Sequence, residues 1–490
     1  MKDLEPVRLN DGMSFADTAD VLIIGLGAAG ASAAIEARGA GADVLVLERA
    51  SGGGGSTQYS GGFLYLGGGT RPQRANGFAD SAENMYRFLS AATPAPDHRK
   101  IRDYCEHSPA HFDWLEAQGL RFNDGFYPHK HFEHSTEDGL AWSGNEKVWP
   151  YLEAATPVPR GHKVTSPGGQ GQLGEGGLKL ITTLITRAKA LGVRIEPDAF
   201  VQQLIVDAEG RVVGAKYRNF GETRLVRARR GVVLATGGFG ANKAMLEQYC
   251  PLLAEEHSNV VGAPTADGSG IELGASVGAA LNNMAGCLIT SPFYPPASLL
   301  KGILINKLGR RFVAEDSYHG RSAWACLQQP DRIAYLICDN AVFGRPEFQA
   351  QPLIDAWESV AEMEQALGIP AGALQAELAT YNTEAASGRD PAFHKQKDWL
   401  QPLVEPPFAA LDCSYGKAFY TGFTLGGLKT SALAEVLDDQ NRPIPGLYAA
   451  GACASNIAQD SAGYASGTCL GESTFFGRRA GLGAAGVVAD

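Results

Sequence analysis

Glycines stand at 25, 27 and 30 in Gly25-Leu26-Gly27-Ala28-Ala29-Gly30, after the apolar run Asp20-Val-Leu-Ile-Ile24 and before an alanine-rich stretch to Arg38. That order reads as strand, tight turn and helix. The first glycine permits the turn, the second lets the backbone approach a pyrophosphate, and the third lets helix and strand pack closely. The helix start offers unpaired N–H groups and a partial positive charge to the phosphates. A second apolar run, Asp43-Val-Leu-Val-Leu47, leads into Glu48, which is placed to bind ribose hydroxyls. The chemistry of this first unit is therefore dinucleotide binding.

A second loop follows directly, with Ser51, four glycines, Ser56 and Thr57, then Ser60, Gly61 and Gly62. Glycines and hydroxyls so close to the first loop suit a long diphosphate cofactor running toward the far edge of the sheet, FAD rather than NAD. Two further pieces fit the same ligand: Ala235-Thr236-Gly237-Gly238 at the end of a buried run, and Tyr448-Ala-Ala-Gly451-Ala452.

In this four-part order the chain resembles the flavoprotein subunit family of fumarate reductase and succinate dehydrogenase, which also holds the 3-ketosteroid dehydrogenases. The resemblance covers most of residues 20–290 and 411–480. It implies an α/β fold, a Rossmann-like FAD-binding domain (GR2-type, split in sequence) with an inserted α+β catalytic domain over the flavin. The expected boundaries are 1–289 and 411–490 for the two FAD-binding segments and 290–410 for the insert. The residues it implies at the cofactor are Gly25, Gly27, Ala28, Ala29, Gly30, Glu48, Arg49, Ser56, Thr57, Ser60, Gly61, Gly62, Val201, Thr236, Gly237, Gly238, Asp267, Gly451, Ala452, Gly467, Thr468 and Leu470. Some relatives attach FAD covalently through a histidine in the serine and glycine loop. No histidine lies between 51 and 62 here, so noncovalent FAD is expected.

The stretch from Ser461 to Arg478 looks like the family's C-terminal flavin motif, a glycine turn opening a helix whose N-terminus faces the flavin pyrimidine. Aligned back from Phe476-Gly477-Arg478, dicarboxylate-reducing relatives carry an arginine where this chain has Tyr464. A phenol in place of a guanidinium removes the partner of a carboxylate and leaves a neutral donor, which suits a ketone oxygen. Tyr464-Ala-Ser466-Gly is closer to the 3-ketosteroid Δ4-(5α)-dehydrogenases than to the Δ1 enzymes, and Tyr318 matches a family tyrosine that reaches the flavin face. The implied reaction introduces a C=C bond next to the ketone of a 3-ketosteroid. Tyr464 would polarise the carbonyl, Tyr318 would take the α-proton and Ser466 would relay it, with the two tyrosine roles open to exchange. A phenol is a poor base at its free pKa of about 10, which is why a relay is required. The rival is a reductase of an α,β-unsaturated acid of the fumarate or urocanate kind, for which Arg311 and Arg321 are the available cations.

The elements that must hold these groups are only partly regular. Residues 80–120 read as helical, 121–170 as irregular and aromatic, and 177–191 as a helix. Strands are expected near 193–196, 199–206, 211–218 and 223–228 as an antiparallel meander, with a helix at 357–388 and a last helix to the C-terminus. Aromatics of 121–151, with Phe293 and Tyr294, suit an apolar slot for a rigid multi-ring substrate.

The bulk numbers exclude several classes. A net charge of −11 disfavours nucleic acid. Eight scattered cysteines without a Cys-x-x-Cys read as reduced thiols of a cytoplasmic protein, not cluster or zinc ligands. Six of the ten histidines fall within 98–134, and His129-x-His131-x-x-His134 reads as a solvated loop, so no metal is expected. No run is long enough to span a bilayer. The electron acceptor is left unidentified by the sequence.

Overall fold

The computed structural model describes residues 4–165, 175–455 and 457–487, so positions 166–170 of the irregular stretch lie outside it. The run Asp17–Ile24 sits at the centre of a nine-stranded sheet. On one side it pairs in parallel with Val44–Leu47, which pairs in parallel with Arg194–Glu196. On the other it pairs in parallel with Glu222–Leu234. All four side chains of Val44–Leu47 are buried, as a strand covered on both faces requires.

Glu222–Leu234 is one strand, not two. Its first half, alternating polar and apolar, joins the antiparallel ladder with Val212–Asn219, which in turn pairs with Ala199–Val206. Its second half is wholly buried and lies between Val21–Ile24 and Leu447–Ala449, both parallel to it. The expected meander is thus correct for three strands, whereas Arg194–Glu196 belongs to the parallel sheet.

The glycine-loop helix Ala28–Gly39 is covered by the C-terminal helix Thr468–Ala484. A Cβ at Gly477 would lie 2.4 Å from the Ala29 carbonyl oxygen, and one at Gly481 2.3 Å from that of Ala33. The two ends of the chain therefore close on the same loop.

A separate four-stranded antiparallel sheet has the order Ile303–Asn306, Ala334–Cys338, Phe408–Asp412, Leu353–Trp357. Its last strand in sequence runs past position 410. The helix expected over 357–388 is a strand end followed by two helices, Val360–Leu367 and Ala373–Ala386, parted where Gly368 turns left-handed ahead of Pro370. Likewise 80–120 is two helices, Ala82–Ala92 and His98–Ala117, parted by a stretch containing Pro94 and Pro96. Among the described residues no helix is long and apolar enough to cross a membrane.

Candidate active site

The parallel strands Asp17–Ile24, Val44–Leu47, Gly231–Leu234 and Leu447–Ala449 all end along one edge, the position where open α/β sheets bind ligands. Two of the three loop glycines there answer to the protein's own packing. A Cβ at Gly25 would sit 2.4 Å from the Ala235 carbonyl oxygen, and one at Gly30 only 2.0 Å from that of Gly25. Gly27 differs: a Cβ would meet nothing nearer than Thr57 Oγ1 at 3.7 Å. Packing leaves that glycine unexplained, and a diphosphate drawn against the helix start explains it.

Around this space the expected groups converge. Thr57 Oγ1 accepts the Ala28 N–H at 3.1 Å. The buried Glu48 carboxylate accepts the N–H of Leu26 at 2.7 Å and of Ala50 at 2.8 Å, one on each oxygen. Burial raises its pKa, and each oxygen keeps acceptor capacity for a hydroxyl. Arg49 pairs with Asp267 at 2.5 Å and lies over the Phe200 ring. A Cβ at Gly451 would meet that of Ala29 at 2.9 Å, which places the fourth segment against the first. Thr236 Oγ1 donates to Cys453 Sγ at 3.4 Å, so the third and fourth segments touch. These residues fit the diphosphate and ribose of FAD.

Not every predicted hydroxyl faces that space. Ser56 Oγ is taken by the Ala263 N–H at 2.9 Å, and Ser60 Oγ donates to the Thr57 carbonyl at 2.8 Å. Ser60 also receives the Gly177 N–H on its carbonyl at 2.9 Å, and a Cβ at Gly62 would lie 2.3 Å from the Gly176 carbonyl carbon. The sequence reading missed Gly176 and Gly177; their signal was a glycine pair at the start of a helix, where glycine is otherwise unfavourable. Val201 is buried in the strand Ala199–Val206. Gly467 caps the last helix at φ 95°, a left-handed conformation, and Thr468 and Leu470 lie in that helix's first turn.

At the head of this helix the catalytic candidates meet. Tyr318 directly precedes the helix His319–Leu327, and its hydroxyl oxygen lies 2.7 Å from Ser466 Oγ. Tyr464 stands beside them, its ring centroid 6.3 Å from that of Tyr318 and 5.7 Å edge-on from Phe423. Leu288, Tyr318, Leu425, Ala458 and Tyr464 form one apolar cluster. The Ser461 hydroxyl fixes their loop to the strand Cys287–Thr290, accepting the Ile289 N–H at 2.8 Å and donating to the Cys287 carbonyl at 3.0 Å. From behind, Gly463 presses on the end of the helix Ala82–Ala92, where a Cβ would lie 1.6 Å from the Ala92 carbonyl oxygen.

Burial holds both phenols above their ordinary range. Both are therefore neutral donors at neutral pH. Tyr318 can accept a proton only as it passes its own to Ser466, so a hydroxyl partner within hydrogen-bond distance is a chemical necessity.

Arg311 is committed elsewhere: its guanidinium bonds Glu315 at 2.8 and 3.1 Å and Asp390 at 3.0 and 3.1 Å. Arg321 donates to the Trp149 carbonyl at 2.6 Å and lies over the Tyr151 ring. The histidine loop corrects the expectation of a solvated segment. His131 and His134 are buried at 7% and 3% exposure, stacked on Phe63 and Tyr127 respectively. Two rings that fill apolar space leave solvent even from a loop, and only His129 remains outside. Among the described residues no group of three His, Cys, Asp or Glu side chains could hold a metal. Of the aromatics, the half-buried Phe126 and Trp142 pack with Phe78, and Phe122 packs with Phe112 in the core. Phe132 and Tyr294 lie against His319, next to Tyr318.

The model of the FAD binding domain family matches residues 20–468. The chain is similar, at 42% identity and a TM-score of 0.92, to the crystal structure of the 3-ketosteroid-Δ4-(5α)-dehydrogenase from Rhodococcus jostii RHA1 in complex with 4-androstene-3,17-dione, covering 98% of this chain and 100% of that one. It is 29% identical over 505 residues to the 3-oxo-5-alpha-steroid 4-dehydrogenase of Comamonas testosteroni, covering 90% of this chain and 94% of that protein. A probable fumarate reductase of Shewanella frigidimarina is 27% identical over 485 residues, covering 96% of this chain and 75% of its own length.

Proposed function

Given that the chain belongs to the FAD binding domain family and, within it, to the 3-ketosteroid Δ4-(5α)-dehydrogenases, we propose that it dehydrogenates a saturated 3-ketosteroid next to the ketone. The observation that carries this reading is the neutral pair of Tyr318 and Ser466, 2.7 Å apart beside Tyr464, where a carboxylate reductase would need a cation. Bound FAD supplies the hydride acceptor. Tyr464 donates to the carbonyl oxygen and stabilises the enolate that develops as the α-proton leaves. Tyr318 takes that proton as its own passes to Ser466 Oγ, and the half-buried serine passes its hydroxyl proton outward to solvent, so each hydroxyl ends with one proton. The buried ring cluster excludes water, which strengthens both hydrogen bonds.

We assign 1–289 and 411–490 to the FAD-binding domain and 290–410 to the catalytic insert, and place the protein in the cytoplasm, in keeping with eight free cysteines. The same reading assigns FAD contacts to the converging residues above.

The test is turnover of a 5α-androstane-3-one-type steroid with an artificial dye acceptor, followed by product analysis. A 4-ene-3-one product is expected. Flavin that is not bleached by the steroid, but is reoxidised from its reduced form by an unsaturated acid, would overturn the reading in favour of the reductase.

A further inference from the structure

We propose that Asn145 is a positioning residue for this reaction, its side-chain amide holding Tyr318 in register with Ser466. The proposal rests on the catalytic roles given above.

Tyr318 and Ser466 reach each other from distant parts of the chain, and a third segment touches both. Asn145 is buried at 1% exposure. Its Oδ1 accepts the Tyr318 backbone N–H at 2.8 Å, and its Nδ2 donates to the Ala462 carbonyl at 3.1 Å. Two residues earlier, the Ser143 carbonyl accepts the Ser466 N–H at 2.7 Å. One short loop thus holds the backbone of both members of the pair. The loop is itself braced, since Glu146 accepts the Gly144 N–H at 2.9 Å and the Val148 N–H bonds the Asn145 carbonyl at 2.9 Å.

The residue type follows from the two partners. One end of the side chain must accept and the other must donate, which in a short side chain only an amide provides. Aspartate has the same shape, accepts from Tyr318, and sets a lone pair against the Ala462 carbonyl. A misplacement of about 1 Å at a reacting centre can lower the rate by about 100-fold.

The experiment compares N145A and N145D holoenzymes, each verified by flavin content and Tm, with S466A and the N145A/S466A double variant. The expected result is a kcat lowered by about 10- to 100-fold in N145A and N145D, with steroid KM within about threefold of the parent. In the double variant the losses should not multiply, because with the serine hydroxyl gone there is no bond left to align. A merely structural role gives multiplicative losses. Normal kcat in both Asn145 variants, or multiplicative losses, overturns the proposal. Near-normal turnover of S466A and Y318F overturns instead the assignment of the pair. If N145A fails to fold, N145D, which keeps the shape and one of the two bonds, decides through its own cycle with S466A.

Discussion

The Tyr318 hydroxyl and Ser466 Oγ lie 2.7 Å apart although 148 residues separate them in the chain. If the proton moves along this contact, Tyr318→Phe and Ser466→Ala should each lower kcat by about 10²- to 10⁴-fold without loss of flavin. Tyr464→Phe removes the donor to the carbonyl and should lower kcat by about 10²- to 10³-fold. Stopped-flow bleaching of the flavin by steroid measures each step; unchanged rates in Y318F and S466A would remove the relay.

The loop glycines should separate folding from cofactor binding. Gly30→Ala drives a methyl into the Gly25 carbonyl and should yield little folded protein. Gly27→Ala meets no protein atom within 3.4 Å, so it should fold with a Tm near that of the parent apoprotein and lose most of its FAD affinity. Flavin titration of the refolded apoproteins checks this, and parental affinity in G27A would count against the assigned diphosphate site.

Asp80 and Arg160 form a two-pronged ion pair at 2.8 and 2.9 Å with both side chains fully buried. Asp80→Ala leaves a buried guanidinium without its counter-charge and should destabilise by about 3–5 kcal/mol. Urea unfolding at constant flavin saturation gives the value; a loss below about 1 kcal/mol would show that water reaches Arg160.

Burial holds His131 and His134 down to about 3, from 6.5. A depressed folded-state pKa means the unfolded chain binds these protons first. Their contribution is intact above about 6.5 and is lost as pH falls from there toward about 3. His162, held at about 4, acts in the same direction. The Tm of the holoprotein should fall between pH 7.5 and 5, and H131Q/H134Q should flatten that slope; an identical slope would argue that neither ring must be charged on unfolding.

With no histidine between 51 and 62, the flavin should be held without a covalent bond. Acid precipitation should leave a colourless pellet and all the yellow colour in the supernatant. Colour kept in the pellet would contradict this.

The parallel strands and the glycine loop were legible because burial on both faces writes itself as unbroken apolar runs, as in Val44–Leu47. The strand Glu222–Leu234 was split in the reading because its two halves have different neighbours and hence different patterns. Tyr318, Tyr464 and Ser466 were reached through family likeness. Their 2.7 and 6.3 Å relations depend on how two remote segments dock, which no local periodicity encodes. Asn145 was invisible for the same reason: its value lies in facing an N–H and a carbonyl that belong to two other parts of the chain. His131 and His134 misled because a loop full of polar letters was assumed to be wet, whereas aromatic stacking buries it.

The contact of Gly463 with the Ala92 carbonyl reaches beyond mechanics. The helix Ala82–Ala92 supplies the stop against which the Tyr464 loop rests. If Tyr464 acts as proposed, the tolerance of this helix to mutation is set by turnover as much as by folding. A bulkier side chain at 463 fits only if that helix end retreats, so a substitution there needs a compensating change near Ala92. On the proposed role of Tyr464, the helix becomes part of the frame that sets the geometry of a reaction one layer away.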